Sequence, residues 1–251
     1  MTLSKLSRRN FTLASAACLM ANRTTSAAPL DSTLTSPYRS IATEPFPVPA
    51  IELSRVRPEF LRREVDDPTR EAAGAIVVDP ARHFLYLVLP GGKAMRYGVG
   101  VGRSGFAWSG EARVNSKQAW PDWYPPKEML ERQPHLARAM RKLRSGLGMP
   151  GGSGNPLGAR ALYLWQDNRD TLFRIHGTVE PWTIGTNASS GCIRMINQDV
   201  MDLYERVEPG ARVLVLGAPA GYAKTTRGGD GLPPLHNLVR DPGGLAGRGL
   251  W

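Results

Sequence analysis

The stretch from His176 to Asn197, HGTVEPWTIGTNASSGCIRMIN, limits the fold more than any other part of the chain. His176 closes a short apolar run, Thr171-Leu-Phe-Arg-Ile, that reads as a strand. Cys192 stands 16 positions later in a Ser189-Ser-Gly turn, not in an apolar run. A fold that keeps both residues in one hairpin-like unit brings a thiol to an imidazole, the minimal apparatus for nucleophilic acyl transfer. Taken singly, the cysteine would read as a small buried hydrophobe and the histidine as a satisfied core residue.

The segments upstream are strands. Ala75-Ile-Val-Val-Asp79 and His83-Phe-Leu-Tyr-Leu-Val-Leu89 are joined by Pro80-Ala-Arg82, and Pro90-Gly-Gly92 ends the second. Ala94 to Val101 carries Gly98 and Gly100, which predicts a bulged or closely packed strand. Tyr97-Gly-Val-Gly-Val-Gly102 lacks the lysine and following helix of a phosphate loop, so nucleotide binding is not expected. Asn155 to Trp165 leads into another strand, and Ala211 to Leu216 makes a closing one. Many short strands at close spacing predict a β-dominated α+β domain with short helices.

Two helices are expected in the middle of the chain, over Lys127–Gln133 and His135–Arg144, with Pro134 opening the second, and a glycine-rich loop over Gly146–Gly154. A third begins at Asn197 or Asp199, because Val200, Leu203, Tyr204 and Val207 repeat at helical spacing, and Pro209-Gly210 ends it. Trp108, Trp120, Trp123 and Tyr124 crowd one polar region and read equally as a groove wall or as packing under a loop. His83 and His135 have no ligand cluster at metal spacing, so no metal is assigned.

Residues 1–28 have the three parts of a secretory signal: Lys5, Arg8 and Arg9, then an apolar run from Phe11 to Ala21, then Ser26-Ala-Ala28. The apolar run is about half the roughly 20 residues that span a bilayer, so no integral span is expected in the mature chain. Ser7-Arg-Arg-Asn-Phe11 resembles a twin-arginine export signal. Cleavage would remove Cys18, leaving Cys192 as a lone thiol with no internal disulfide partner. Four basic residues leave with the signal, so the formal charge of +10 falls to about +6. A basic exported protein suits polyanionic envelope surfaces, and nucleic acid is not an expected partner there. Residues 29–71 read as an N-terminal extension packed partly on the domain. The Gly/Pro-rich tail, 218–251, cannot bury enough apolar surface to fold alone.

The order His-Gly-Thr, Pro-Trp-Thr-Ile-Gly and Ser-Ser-Gly-Cys-Ile-Arg-Met, preceded by Asn155-Pro-Leu-Gly-Ala-Arg-Ala-Leu162, closely resembles the signature of the L,D-transpeptidase (YkuD-like) catalytic domain of bacterial cell-wall enzymes. The resemblance covers 72–217 and neither tail. It implies a mixed, barrel-like sheet with Cys192 as nucleophile and His176 as proton donor and acceptor, no cofactor, and peptidoglycan stem peptides as partners. The implied reaction releases D-alanine from the third stem residue and passes the acyl group from a thioester to an amine. That amine belongs to another stem or to an outer-membrane protein; water in its place gives carboxypeptidase hydrolysis. The resemblance further implies substrate-orienting or oxyanion roles for Gly177, Ser190, Gly191 and Arg194, in the periplasm or cell envelope. Ser190 stands where some members carry a second histidine. The amides from Gly191 to Ile193 are candidates for an oxyanion hole. Arg194 has two readings, a bidentate hold on a substrate carboxylate or a pin on backbone carbonyls. A non-catalytic wall-binding protein would be marked by loss of Cys192 or His176, and a papain-like peptidase by the reverse order of the two.

Overall fold

The computed structural model describes residues 32–103, 108–125 and 127–217. The expected export signal over 1–28, with its arginine pair and Cys18, and the tail over 218–251 lie outside the described residues. Within them the strands are β1 (Arg63–Asp66), β2 (Ile76–Asp79), β3 (Phe84–Leu89), β4 (Lys93–Gly98), β5 (Val101–Gly102), β6 (Gly110–Ala119), β7 (Arg141–Leu143), β8 (Gly146–Gly148), β9 (Arg160–Gln166), β10 (Arg169–His176), β11 (Asn187–Ser189), β12 (Ile193–Arg194) and β13 (Arg212–Val215). The α-helices are α1 (Ser32–Thr35), α2 (Lys127–Arg132) and α3 (Asn197–Arg206). No helix among the described residues is long and apolar enough to cross a membrane.

Nine strands form one mixed sheet in the order β1-β4-β3-β2-β13-β6-β9-β10-β12. The last strand in sequence, β13, lies in its middle, parallel to β2 and antiparallel to β6. The sheet curls until Gly100, just past β4, exchanges backbone hydrogen bonds of 2.9 and 2.8 Å with Arg194 of β12. The result is the expected barrel-like, β-dominated architecture. The β9–β10 hairpin turns through Asp167 and Asn168, both left-handed at φ 49° and 58°, the pair of positive angles a two-residue type I′ turn requires.

Alternation along the strands decides what faces inward. Leu162, Leu164 and Ile175 point into the core with Ile76, Val78 and Val213, and α3 adds Val200 and Leu203. The predicted 3.6-residue stripe of α3 is the face that packs there. At the C-terminal end of α3, Lys117 Nζ donates to the carbonyls of Tyr204 and Val207, each at 2.7 Å. A cation at that end satisfies carbonyls the helix cannot pair itself.

The extension packs more closely than expected. Gln198 Nε2 at the start of α3 donates to the carbonyls of Arg39 and Pro49 at 3.1 and 2.9 Å. The Tyr38 hydroxyl donates to the buried Asp199 carboxylate at 3.2 Å. Burial pushes the Asp199 carboxyl up to about 7. Glu44 takes both terminal nitrogens of Arg160, at 2.7 and 2.9 Å, and the Trp120 indole N–H at 2.9 Å. Phe60 fills the room left by two glycines: a Cβ on Gly98 or Gly185 would lie 2.5 or 2.0 Å from it. This is the close packing that the glycines of the 94–101 segment predicted.

The region between β6 and β9 corrects two expectations. Over 135–144 there is no α-helix: a 3-10 turn covers Pro134–Ala139, and β7 then pairs antiparallel with β8. The segment lies away from the core and buries Met140 alone, so a short helix there would have no packed face to stabilise it. The expected glycine-rich loop likewise begins as strand β8. The aromatic cluster differs in burial along its length. Trp108 stacks on Phe173 with ring centroids 5.5 Å apart, at the edge of the core. Tyr124 is exposed.

Candidate active site

His176 is the last residue of β10, and Cys192 immediately precedes β12. These strands run parallel, with Ile175 opposite Ile193 and His176 opposite Arg194. Ile175 and Ile193 are buried in the core. Alternation therefore turns Arg174 and His176 of β10, and Cys192 and Arg194 beside them, toward the other face. The sheet itself brings the two sequence-predicted residues to one place.

His176 is almost wholly buried, and its Nδ1 lies 2.6 Å from the Gly177 carbonyl. A carbonyl only accepts, so the ring proton sits on Nδ1 and Nε2 carries the free lone pair. Burial is the largest cause lowering the imidazole, to about 4, with Arg194 and Arg174 adding to it; the Gly177 hydrogen bond opposes. The ring is neutral near pH 7. Burial likewise raises the half-buried Cys192 thiol, against the backbone N–H and guanidinium of Arg174 and the guanidinium of Arg194. Sγ lies 3.9 Å from the Leu172 carbonyl. That carbonyl is presented by an irregularity in β10 between Asp170 and Arg174, where Leu172 is left-handed at φ 63°. Both shifts favour a neutral thiol beside a neutral imidazole over a preformed ion pair.

The turn before Cys192 is built by Ser189. Its hydroxyl donates to the Cys192 carbonyl at 2.5 Å and accepts the Gly191 N–H at 3.1 Å. Gly191 itself sits at φ 125°, open to glycine alone at low cost. Its amide is therefore engaged with Ser189, which narrows the amides free to meet an oxyanion. Ser190 is exposed and makes no side-chain hydrogen bond among the described residues. Arg194 pairs with Glu180 at 3.1 Å, a carboxylate of the protein itself that neither of its two readings named.

Sequence reasoning missed three supports. Ser189 was passed over for its neighbour. Asn197 was read only as a helix start, yet its Oδ1 accepts the Ala159 N–H at 2.9 Å and fills the space where a Cβ on Gly158 or Gly177 would meet it at 2.2 or 2.1 Å. Arg174 is held by Asp170 through two contacts of 2.7 Å and lies 4.3 Å over the Tyr163 ring. A fixed guanidinium therefore stands near both His176 and Cys192. The Asn-Pro-Leu-Gly and Arg-Ile-His-Gly motifs were the available signals for the last two.

Ser189→Ala is expected to leave the Gly191 N–H and Cys192 carbonyl without their partner. The cost is about 1–3 kcal/mol, read as a lower denaturant midpoint with an unchanged slope. An unchanged midpoint would show that the turn holds without the hydroxyl.

The histidine thus closes β10 and the cysteine stands just before the neighbouring parallel strand β12. The L,D-transpeptidase catalytic domain (YkuD) matches residues 73–215, and the chain belongs to that family. Among curated proteins it is similar to the Escherichia coli "Probable L,D-transpeptidase ErfK/SrfK", 31% identical over 173 residues, 66% of this chain and 51% of that protein. It is also similar to the E. coli "Probable L,D-transpeptidase YbiS", 31% identical over 143 residues, 55% of this chain and 42% of that protein. The chain thus spans about half the length of the curated relatives it matches. Among solved structures, one from Brucella melitensis, described as a "Probable carnitine operon oxidoreductase", is 51% identical and covers 66% of this chain and 99% of that one, with a TM-score of 0.43. An L,D-transpeptidase from Mycobacterium smegmatis is 16% identical over 58% of this chain and 59% of its own, with a TM-score of 0.42. The redox name belongs to the Brucella protein. Here the glycine-rich 97–102 segment contributes to β4 and β5 and does not open a helix.

Proposed function

We propose that this chain is a peptidoglycan L,D-transpeptidase with residues 72–217 as its catalytic unit, 29–71 as an N-terminal extension, and the cell envelope as its place of work. The observation that carries the reading is the commitment of His176 Nδ1 to Gly177, which leaves Nε2 as a base on the strand beside the Cys192 turn. Attack forms an S–C bond to the carbonyl of the third stem residue while Nε2 takes the thiol proton. The tetrahedral centre collapses by breaking the C–N bond, the proton passes to the departing D-alanine amine, and a thioester remains. An acceptor amine then attacks the thioester, losing its proton to Nε2, and sulfur departs and is reprotonated. Both Gly177 and Ser189 act by positioning: the one fixes the tautomer, the other the turn. Arg194 and Gly191 shape the rim, and Ser190 is open to substrate. The acceptor is the side-chain amine of another stem or an envelope protein, and the same thioester meeting water gives carboxypeptidase activity.

The test is incubation of the protein with a disaccharide tetrapeptide, following protein and product masses. A thioester adduct that has lost D-alanine, together with a cross-linked dimer, is the expected result. An adduct that only hydrolyses assigns the carboxypeptidase outcome under these conditions. No adduct on a folded protein with a reduced thiol would overturn the proposal.

A further inference from the structure

The face of the sheet that carries Cys192 continues past the reactive pair. Tyr163 and Trp165 of β9 alternate with the buried Leu162 and Leu164, so they share the outward face with Arg174, which lies over Tyr163. Across β6, Arg113 is directly opposite Trp165. Here a groove of about 480 Å³ opens, lined by Trp165, Arg113, Asn115, Gln166, Asp167 and Asn168. The indole of Trp165 and the side-chain amides of Asn115, Gln166 and Asn168 make no hydrogen bond or ring contact among the described residues. The reactive pair uses none of these groups.

We infer that this groove holds an N-acetylated amino sugar of the glycan strand to which the donor stem peptide is attached. The inference rests on the proposed function and extends it to a second part of the same substrate. The chemistry of the lining fits: an indole face offers a flat apolar surface for the C–H face of a sugar ring, and amides both donate to and accept from hydroxyl and acetamido groups. The reach fits as well. Leu172, whose carbonyl touches Cys192, is two residues along β10 from Asp170, and Asp170 is opposite Trp165. The irregular turn of chain from Leu172 to Asp170 and one interstrand step put Trp165 about 10 Å from the thiol. A stem runs through three residues and a linker before it meets the sugar, so when extended it reaches beyond about 10 Å. With its acyl carbon at Cys192, a donor would place its sugar at Trp165.

The test compares two donors, a disaccharide tetrapeptide and the free tetrapeptide, on the whole protein and on Trp165→Ala and Asn168→Ala. The parent protein is expected to show a KM roughly tenfold lower for the glycan-bearing donor, a difference of about 1.4 kcal/mol. Trp165→Ala should remove most of that advantage and leave kcat and KM on the free tetrapeptide unchanged. Asn168→Ala, on an exposed turn, should remove part of it and covers the case in which Trp165→Ala fails to fold. Equal KM values for the two donors in the parent, or a variant that weakens both donors alike, would overturn the groove assignment. Titration of tryptophan fluorescence with the peptide-free disaccharide separates the two proposals. A response lost in Trp165→Ala with neither donor turned over would sustain the groove and sink the transpeptidase reading. Turnover of both donors without any such response would do the reverse.

Discussion

Cys192→Ala is expected to abolish transpeptidation, with turnover falling by about 10⁴-fold or more, because a covalent route loses its nucleophile and nothing adjacent can replace it. Ser190, the neighbouring hydroxyl, is on the exposed side of the turn, and Ser189 is committed to holding that turn. The variant should remain folded. Among the described residues, Sγ meets only backbone groups of β10, a long contact to the Leu172 carbonyl and the Arg174 N–H, and the turn is set by Ser189 and Gly191, neither of which changes. The paired measurement is product formation from the disaccharide tetrapeptide beside thermal unfolding. Loss of activity with a melting temperature within a few degrees of the parent is the expected pair of results. Retained turnover would remove Cys192 from the mechanism.

His176→Ala is expected to cost about 10²–10⁴-fold in turnover, the range for loss of a general base. The pH dependence separates this role from an ion pair. With the imidazole lowered to about 4 and the thiol raised, the parent should hold its activity as pH falls from 8 toward 5 and lose it only as the ring protonates near 4. Alkylation of Cys192 by iodoacetamide should climb with pH without a plateau near neutrality, and His176→Ala should change its neutral-pH rate little. An acid limb at pH 6–7, or a neutral-pH alkylation plateau that vanishes in His176→Ala, would show a thiolate–imidazolium pair instead. The same shift sets a stability trend. The unfolded chain takes up a proton near 6.5 that native His176 refuses until about 4, so stability falls as pH drops through that window.

The fold, and the placing of His176 at a strand end beside the Cys192 turn, were legible because they rest on local pattern. Strand runs with Asp-Pro and Pro-Gly-Gly punctuation gave β2 and β3, helical spacing gave α3, and Gly191 marked the tight turn at the thiol. What escaped was set by contacts distant in sequence. Nothing local favours Ser189 over Ser190: the choice follows from which hydroxyl the turn directs inward. Asn197 meets Gly158 and Gly177 only after β9, β10 and α3 have come together. The second middle helix failed because its apolar residues had no core to face, a fact that periodicity does not carry. The partner of Arg194 was not foreseen: Glu180 belongs to the loop after His176 and to no repeating pattern.

The central place of β13 has a consequence for the order of assembly. The strand that joins the β2–β3–β4 half of the sheet to the β6–β9–β10 half is the last one in sequence, and the Tyr38–Asp199 contact spans 161 residues. A chain emerging from the ribosome can form separate hairpins, but the gap between β2 and β6 is filled only when residue 215 has been made. Closing such long-range pairings is slow compared with forming local structure. The interval in which the growing chain is incompletely folded therefore lasts through most of its synthesis, and the reactive face is completed only after that interval ends.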